Sequence, residues 1–420
     1  MHVSLIAPKN EIIQLPVSIC FCVPSGLEDI AREEIAEKLV QYPRLPPASK
    51  WITFPGLVQC SLQTSGLDIN LKTDLCTQVR GIQFFSVEKM FLVVASLDVS
   101  EDEFQAKPAD STSGKIPWIE WLTSCITNCA LESWIGAARI LNAAGFCPGE
   151  SSPEEILFRA TFLRGDFKHP IANSQTMAGA LGASVLSVSS NAKVKLENFE
   201  IEVLGCLIPG GSFAQLLLGF RLESYSATAE PISWRHRVIS GRTSLRPTIA
   251  YCIARMANIQ PGQVVLDPCC GVGTIPIEAS LTCQPLAHFI CGDIELDSIH
   301  NKANINITAA APYSASVVAW NAKALPIRDQ LVDIAITDLP WGMREGSFNM
   351  CAKLYPKLMK QLIRVVKKGS GKAYILTLDH QLLKHTLNTP WCQKAWKVCF
   401  VRDIRIGYQV KLFCLERTED

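Results

Sequence analysis

The chain has 420 residues, 48% of them hydrophobic, enough for two or three domains with cores of their own. Forty Lys and Arg stand against 39 Asp and Glu, which excludes a bulk positive field, so any nucleic-acid surface must be local. Seventeen cysteines, an odd number without metal-ligand spacing and mostly in apolar runs, argue for reduced buried thiols rather than a disulfide framework.

No apolar stretch is long enough to span a bilayer, and no basic region precedes an apolar core at the N-terminus. The expectation is a soluble protein of the cytoplasm, with the nucleus as the other compartment.

Residues 15–115 read as a first domain. Leu15 to Cys22 alternates as a strand, and Val23-Pro24-Ser25-Gly26-Leu27-Glu28 turns into a helix. Across Ile30, Glu33, Glu34, Ala36, Glu37, Lys38 and Leu39 polar residues outnumber the apolar stripe, the pattern of a surface helix. Trp51 to Phe54, Gly56 to Val58 and Phe91 to Ala95 supply further strands. A small antiparallel sheet with helices on one face is the economical arrangement, and it carries no catalytic constellation.

A polar break at 102–115 leads to a second domain, 116–226. Trp118 to Ile126, Ser133 to Leu141 and the small-residue stretch Ser174 to Leu186 read as helices, and Ile156 to Phe162 as a strand. Glu200 to Leu207 and Gln215 to Leu222 pair through the turn Pro209-Gly210-Gly211. Arg159, Arg164, Lys168 and His169 lie close together, either as a solvated edge or as a nucleic-acid contact. Pro231 to Arg246 carries Arg235, His236, Arg237, Arg242 and Arg246 with no acid among them. That segment admits two readings: phosphate contact, or a linker whose arginines pair with the neighbouring domain.

The third domain, 232–418, is organised around Gln263 to Ala279. Val264-Val265-Leu266 is a short apolar run suited to a strand buried on both faces, and Asp267 sits at its carboxyl end. Pro268-Cys269-Cys270-Gly271-Val272-Gly273 follows, and Thr274 reads as the N-cap of the next helix. Strand, glycine loop and helix in that order place a ligand at the strand's carboxyl edge. The loop reads D-x-x-x-G-x-G. The third glycine of a dinucleotide fingerprint falls at Pro276, which argues against a nicotinamide cofactor.

Glycines in such turns often serve geometry alone, so the weight rests on recurrence. Phe289 to Gly292 ends at Asp293, where an acid can accept the ribose hydroxyls of an adenosine. Val317 to Trp320 ends at Asn321, and Val332 to Thr337 runs into Asp338-Leu339-Pro340-Trp341. Four strands ending in polar residues at one edge make a cofactor crevice.

Beyond it, Lys353, Lys357, Lys360, Arg364 and Lys367 share one helix face and Leu354, Leu358, Leu362 and Val365 the other. A helix packed on the sheet with a solvated outer face accounts for this, phosphate contact being the sharper alternative. Lys372 to Leu378, Val398 to Ile404 and Gln409 to Leu415 close the chain as strands, the last two a hairpin around Gly407.

DPCCGVGT, CGDIELD and DLPW, in that order, resemble the motifs of class I S-adenosylmethionine-dependent methyltransferases that modify exocyclic amines. GRTSLRPT at 241–248 and FRATFLRGDFKH at 158–169 narrow the resemblance to the THUMP-domain N2-guanosine tRNA methyltransferases, from about Val17 to Thr418. The resemblance implies an α/β chain. A Rossmann-like domain, with a mostly parallel seven-stranded sheet and an antiparallel edge hairpin, follows α+β ferredoxin-like and THUMP domains.

It also implies S-adenosyl-L-methionine held by Ser244, Leu245, Arg246, Asp267, Cys269, Gly271, Gly273, Thr274, Asp293, Ile294, Asn321, Ala322 and Asp338, with no metal. Arg159, Arg164, Lys168 and His169 would grip an RNA acceptor end, and the phosphate-contact reading of the later segment would add Arg235, Arg237 and Arg242. A small zinc-containing activator subunit would pair with the methyltransferase sheet.

In the loop 338–341, the Asp338 carboxylate and the Leu339 carbonyl would accept the two amine hydrogens. Pro340 would hold the turn and Trp341 would offer a face to an extruded base. Two residues depart from the family pattern: Leu339 replaces the first proline, and Asn321 stands where a carboxylate usually meets the adenine. The loop recognises an amine rather than a base, so adenine N6 or cytosine N4 stays open as a target, as does a catalytically silent RNA-binding scaffold.

Overall fold

The computed structural model describes residues 18–42, 45–63, 69–100, 124, 155–163, 173–197, 199–210, 213–222, 237–241, 243–282, 287–310, 315–343 and 347–420. The chain divides into two compact units, residues 1–23 with 32–229 and residues 24–31 with 230–420.

The first unit is built on one sheet. Its elements are β1 (Ser18–Cys22), α1 (Glu28–Val40), β2 (Ala48–Phe54), β3 (Leu57–Leu62), α2 (Ile69–Gly81), β4 (Lys89–Ser100), β5 (Ile156–Leu163), α3 (Ser174–Val188), β6 (Ala192–Val194), β7 (Ile201–Gly210) and β8 (Phe213–Arg221). The strand order is β2-β3-β1-β4-β8-β7-β5-β6. β4 and β8 pair antiparallel from Phe91 with Arg221 to Ser100 with Phe213, so the sheet runs unbroken across the boundary expected at 115/116. The polar break at 102–115 and the helices expected at Trp118 to Ile126 and Ser133 to Leu141 lie outside the described residues, residue 124 apart.

Helix α1 lies at the surface as expected, with Arg32, Glu33 and Glu37 exposed, but Glu34 departs from that pattern. Ala31, Ile35 and Leu39 recur every fourth residue and are buried, and Glu34 beside them is fully buried as well. Its carboxylate accepts the amides of Phe85 at 2.7 Å and Ser86 at 2.8 Å, together with the Ser86 hydroxyl, and Lys38 lies 2.6 Å away. A second buried acid, Glu202 on β7, binds Thr161 of β5 at 2.6 Å, Lys89 of β4 at 3.0 Å and Arg221 of β8 at 3.0 Å. Burial works against its charge, yet Lys89, Thr161 and Arg221 together hold the carboxyl below its usual range.

The second unit contains α4 (Pro247–Ala257), β9 (Val264–Asp267), α5 (Thr274–Ser280), β10 (His288–Asp293), α6 (Asn304–Ala310), β11 (Ala315–Ala319), β12 (Ile334–Asp338), α7 (Phe348–Val365), β13 (Lys372–Thr377), α8 (His380–Leu387), α9 (Pro390–Ala395), β14 (Trp396–Arg405) and β15 (Gln409–Arg417). A π-helical turn, Ile299–Ala303, leads into α6. The sheet order is β11-β10-β9-β12-β13-β15-β14, with the first five strands parallel, β15 antiparallel between β13 and β14, and β14 pairing antiparallel with β15 at the edge.

β9 lies in the interior, which is why Val265 and Leu266 are buried on both faces. The order reverses between β9 and β12, and in open parallel sheets such a switch point opens a crevice at the strands' carboxyl ends. Helix α7 buries Leu354, Tyr355, Leu358, Leu362 and Val365 in the core beside it. Lys353, Lys357 and Lys360 face outward. Arg364 is committed to the carbonyls of Leu325 and Ile327 and to Asp329, and Lys367 to Asp333. Among the described residues no helix is long and apolar enough to cross a membrane.

Candidate active site

Asp267 closes β9 at the switch point, 3% exposed. Its Oδ1 accepts the Cys269 amide at 3.2 Å, and its Oδ2 is buried without a hydrogen-bond partner. Burial pushes this carboxyl up to about 8; the Cys269 amide opposes the rise, and the Asp293 and Asp338 charges add to it. Three carboxylates from β9, β10 and β12 thus lie within electrostatic reach of one another.

The loop after β9 turns through Gly271 at φ +52° and Gly273 at φ +85°, a region where side chains are strained. At Gly273 a Cβ would fall 2.9 Å from the Ile307 side chain, whereas at Gly271 it would meet nothing within 4 Å. Gly273 is therefore required by close packing, whereas Gly271 faces open space. Asp293 braces this loop, its Oδ2 accepting the Gly271 amide at 3.0 Å and its Oδ1 the Glu295 amide at 3.1 Å. The indole of Trp320 reaches the Pro268 carbonyl at 3.0 Å. Next to it Asn321 is exposed, its Oδ1 accepting the Lys323 amide at 3.0 Å, while Ala322 is buried and Ile294 lies open.

Two expectations need correction here. Thr274 is the first residue of α5 rather than its cap; Gly273 takes the cap position, and no side chain closes it. The Thr274 hydroxyl accepts instead from Arg237 Nη1 at 2.7 Å. Arg237 is only 3% exposed, so it acts as a strut under the glycine loop and is not available to an RNA phosphate.

The segment around it is fastened by a residue that the sequence did not single out. Asn306 of α6 is fully buried, accepts the Val238 and Ile239 amides at 2.8 Å each, and donates to the carbonyls of Ile239 at 2.8 Å and Val272 at 3.0 Å. It lies in a polar stretch of the sequence, and only its four partners reveal it. Further on, the Ser244 hydroxyl bonds the Gly241 amide at 2.9 Å, Leu245 is buried, and Arg246 stands exposed at the start of α4.

Asp338 ends β12 beside this loop. Leu339 is buried, its amide continuing the ladder to the Leu376 carbonyl at 2.9 Å. The Pro340 carbonyl accepts the Tyr355 hydroxyl at 3.0 Å and the Cys351 thiol at 3.2 Å, both from α7, and Tyr355 also bonds Thr377 at 2.7 Å. Trp341 turns its indole Nε1 to Asp338 Oδ1 at 3.1 Å. Tyr408, in the turn between β14 and β15, meets the Trp341 ring edge-on, centroids 6.4 Å apart at 81°.

Of the residues expected to contact RNA, Arg159 is half-buried on β5 with its guanidinium 5.8 Å over the Phe199 ring. Arg164, Lys168, His169, Arg235 and Arg242 lie outside the described residues.

An unpartnered buried carboxylate oxygen, an open face at Gly271 and three neighbouring acids suit a ligand that carries positive charge and hydroxyl groups. An adenosyl sulfonium, with a cationic sulfur and ribose hydroxyls that donate, matches such acceptors.

Comparison with known proteins bears on the fold and the family. Residues 234–403 match the RMKL-like methyltransferase domain family. The chain is 25% identical to tRNA (guanine(6)-N(2))-methyltransferase THUMP3 of Bos taurus, over 98% of this chain and 90% of that protein. It is 31% identical to the tRNA (guanine(6)-N2)-methyltransferase of Thermus thermophilus, over 38% of this chain and 47% of the other. Among solved structures, TrmN from Thermus thermophilus shares the fold, with a TM-score of 0.61, 21% identity and coverage of 96% of this chain and 99% of that one. SMU.472, solved in complex with SAH, shares it too, with a TM-score of 0.59, 12% identity and coverage of 97% and 99%. Residues 234–403 thus resemble an RMKL-like methyltransferase domain, and the chain is similar along nearly its whole length to a protein named as a tRNA guanine-N2 methyltransferase.

Proposed function

We propose that this chain transfers a methyl group from S-adenosyl-L-methionine to the exocyclic N2 of a guanosine in RNA, with tRNA as the substrate class. The observation that carries it is the loop Asp338-Leu339-Pro340-Trp341, set at the switch point beside the glycine loop. When bound, the cofactor supplies an electrophilic methyl on a sulfonium. Gly271 and Gly273, with Asp267, Cys269 and Thr274, would hold it at the end of β9. Asp293 with Ile294 and Asn321 with Ala322 would meet its adenosine, and Ser244, Leu245 and Arg246 would form the floor.

The residues around the amine do the orienting. The lone pair of a guanine amine is delocalised into the ring, and two acceptors fixed on its hydrogens turn that lone pair out of the plane. Asp338 supplies one. The Pro340 carbonyl is engaged by Tyr355 and Cys351, so the backbone acceptor is the Leu339 carbonyl. This makes the replacement of the first family proline by Leu339 tolerable, since a carbonyl serves whatever its side chain. The Trp341 face offers the base a stacking surface worth about 1–3 kcal/mol. The transfer would exchange the methyl's C–S bond for a C–N bond, with the electron pair left on sulfur, and the proton that the nitrogen must shed would go to Asp338 as the adjacent base.

RNA binding is assigned to the first unit, with residues 15–115 as the ferredoxin-like part and 116–226 as the THUMP part, and catalysis to 232–418. Arg159, Arg164, Lys168 and His169 of the first unit, with Arg235 and Arg242 at the start of the second, are the proposed RNA contacts. A small zinc-containing activator subunit is the proposed partner, for which the sheet offers edge strands β11 and β14. The described cysteines are free thiols, in keeping with a cytoplasmic or nuclear protein.

The test incubates the protein, alone and with such an activator, with labelled cofactor and either tRNA or U6 snRNA, and analyses the nucleosides by mass. The second RNA is included because the chain is 34% identical over 137 residues to a U6 snRNA (guanine-N(2))-methyltransferase. N2-methylguanosine supports the reading; label confined to adenosine or cytidine refutes it.

A further inference from the structure

We propose that Trp341 has a second task besides stacking: its indole N–H positions the Asp338 carboxylate, and Tyr408 holds the indole in place for it. This rests on the reading of Asp338 as an acceptor of the amine. Nε1 of Trp341 lies 3.1 Å from Asp338 Oδ1, three residues back across the Pro340 turn. An indole nitrogen only donates, so this bond takes one oxygen of the carboxylate and fixes the rotation of the group. A freely turning carboxylate presents its lone pairs to the amine only part of the time, whereas one pinned at Oδ1 is already oriented.

The indole is itself pinned. Pro340 is anchored through its carbonyl to Tyr355 and Cys351, which fixes the backbone on one side of Trp341. On the other side Tyr408 packs edge-on, 6.4 Å between centroids at 81°, the geometry that aromatic quadrupoles favour. Tyr408 sits where the β14–β15 hairpin reverses: Gly407 has φ +76°, and the Tyr408 carbonyl accepts the Ile406 amide at 2.8 Å. Tyr408 thus acts on the acceptor through Trp341 and is a positioning residue. Phenylalanine or tyrosine at 341 would preserve a ring for the base, but neither carries a donor at the indole nitrogen. For stacking the three aromatics are interchangeable; for orienting Asp338 only tryptophan serves.

The full chain, with the activator if activity needs it, is assayed in single turnover as wild type, Trp341→Phe, Tyr408→Phe and Tyr408→Ala. Loss of a hydrogen bond to a charged group predicts that Trp341→Phe lowers the transfer rate roughly 10- to 100-fold, while the KM for RNA and the Kd for cofactor move less than about threefold. Tyr408→Ala should fall in the same direction and Tyr408→Phe should restore the rate, since the ring edge is what holds the indole. In the double variant Trp341→Phe/Tyr408→Ala the second change should add little, because no N–H remains to be held.

Trp341→Phe turning over like wild type, or raising KM with an unchanged rate, overturns the proposal and leaves the methyltransferase intact. Failure of the wild type to methylate any guanosine overturns both. A second measurement does not depend on turnover: with 15N-labelled tryptophan, the Trp341 indole resonance of the cofactor-free protein should shift upfield in Asp338→Ala. A resonance that stays put overturns the bond itself.

Discussion

Replacing Asp267 by Asn should stabilise the cofactor-free protein at neutral pH and leave it nearly unchanged in acid. An unfolded Asp titrates near 3.9. In the fold, burial pushes Asp267 up to about 8. Between those two values the folded chain keeps a proton that the unfolded chain has released, so stability falls as pH rises. The slope is about 1.4 kcal/mol per pH unit, and the loss levels off above the folded value. From pH 4 to pH 7 the ceiling is therefore about 4 kcal/mol. Asn keeps the acceptor for the Cys269 amide and places its amide nitrogen where Oδ2 now lies unpartnered. It also removes the ionisation. The two proteins should match near pH 4, and the variant should lead by roughly 2–4 kcal/mol at pH 7. Urea unfolding of the full chain without cofactor, at half-unit steps from pH 4.5 to 8.5, reads this directly. Parallel curves for the two proteins would falsify the burial argument.

Asp293→Ala removes the brace on the Gly271 amide and the proposed ribose acceptor together. Calorimetric titration should show S-adenosyl-L-methionine binding weakened by about 1.5–3 kcal/mol, with the fold retained. Arg237→Ala should lower the melting temperature by removing the buried contact to Thr274. The salt dependence of tRNA binding should stay the same, whereas loss of a true phosphate contact reduces that slope by about one. Glu34→Ala leaves the Phe85 and Ser86 amides and the Ser86 hydroxyl without their acceptor, and chemical denaturation should register a loss of about 2–4 kcal/mol. Glu34→Gln, which keeps one acceptor oxygen, should lose less.

The parallel sheet was legible in the sequence because its cause is local. A strand buried on both faces must be a short apolar run, and a ligand crevice puts a polar residue at its end, as at Asp267, Asp293 and Asp338. The continuity of the first sheet was not legible, because β4 and β8 lie more than a hundred residues apart and no local signal records their pairing. Periodicity placed Glu34 in water, since a charge beside an apolar stripe normally faces out. Only the turn at Phe85–Ser86, fifty residues on, supplies the amides that let it stay inside. Cap propensity favoured Thr274, but a loop that must turn left-handed at Gly273 uses that glycine as the cap and moves threonine into the helix.

The loop at 338–341 divides the same way. Its residue types announce an acceptor, a rigid turn and a ring, and those follow from composition alone. Which backbone carbonyl is free to accept depends on Tyr355 and Cys351, which occupy that of Pro340 from a helix beginning beyond the loop. Whether the ring merely stacks or also holds the carboxylate depends on Tyr408, brought alongside by the hairpin at the far end of the chain. Residue types at short spacing define what chemistry a site can attempt. Which atom performs it is decided by contacts distant in sequence, and here those contacts come from α7 and the β14–β15 turn. Substitutions at Cys351, Tyr355 or Tyr408 should therefore alter transfer without touching the motif itself.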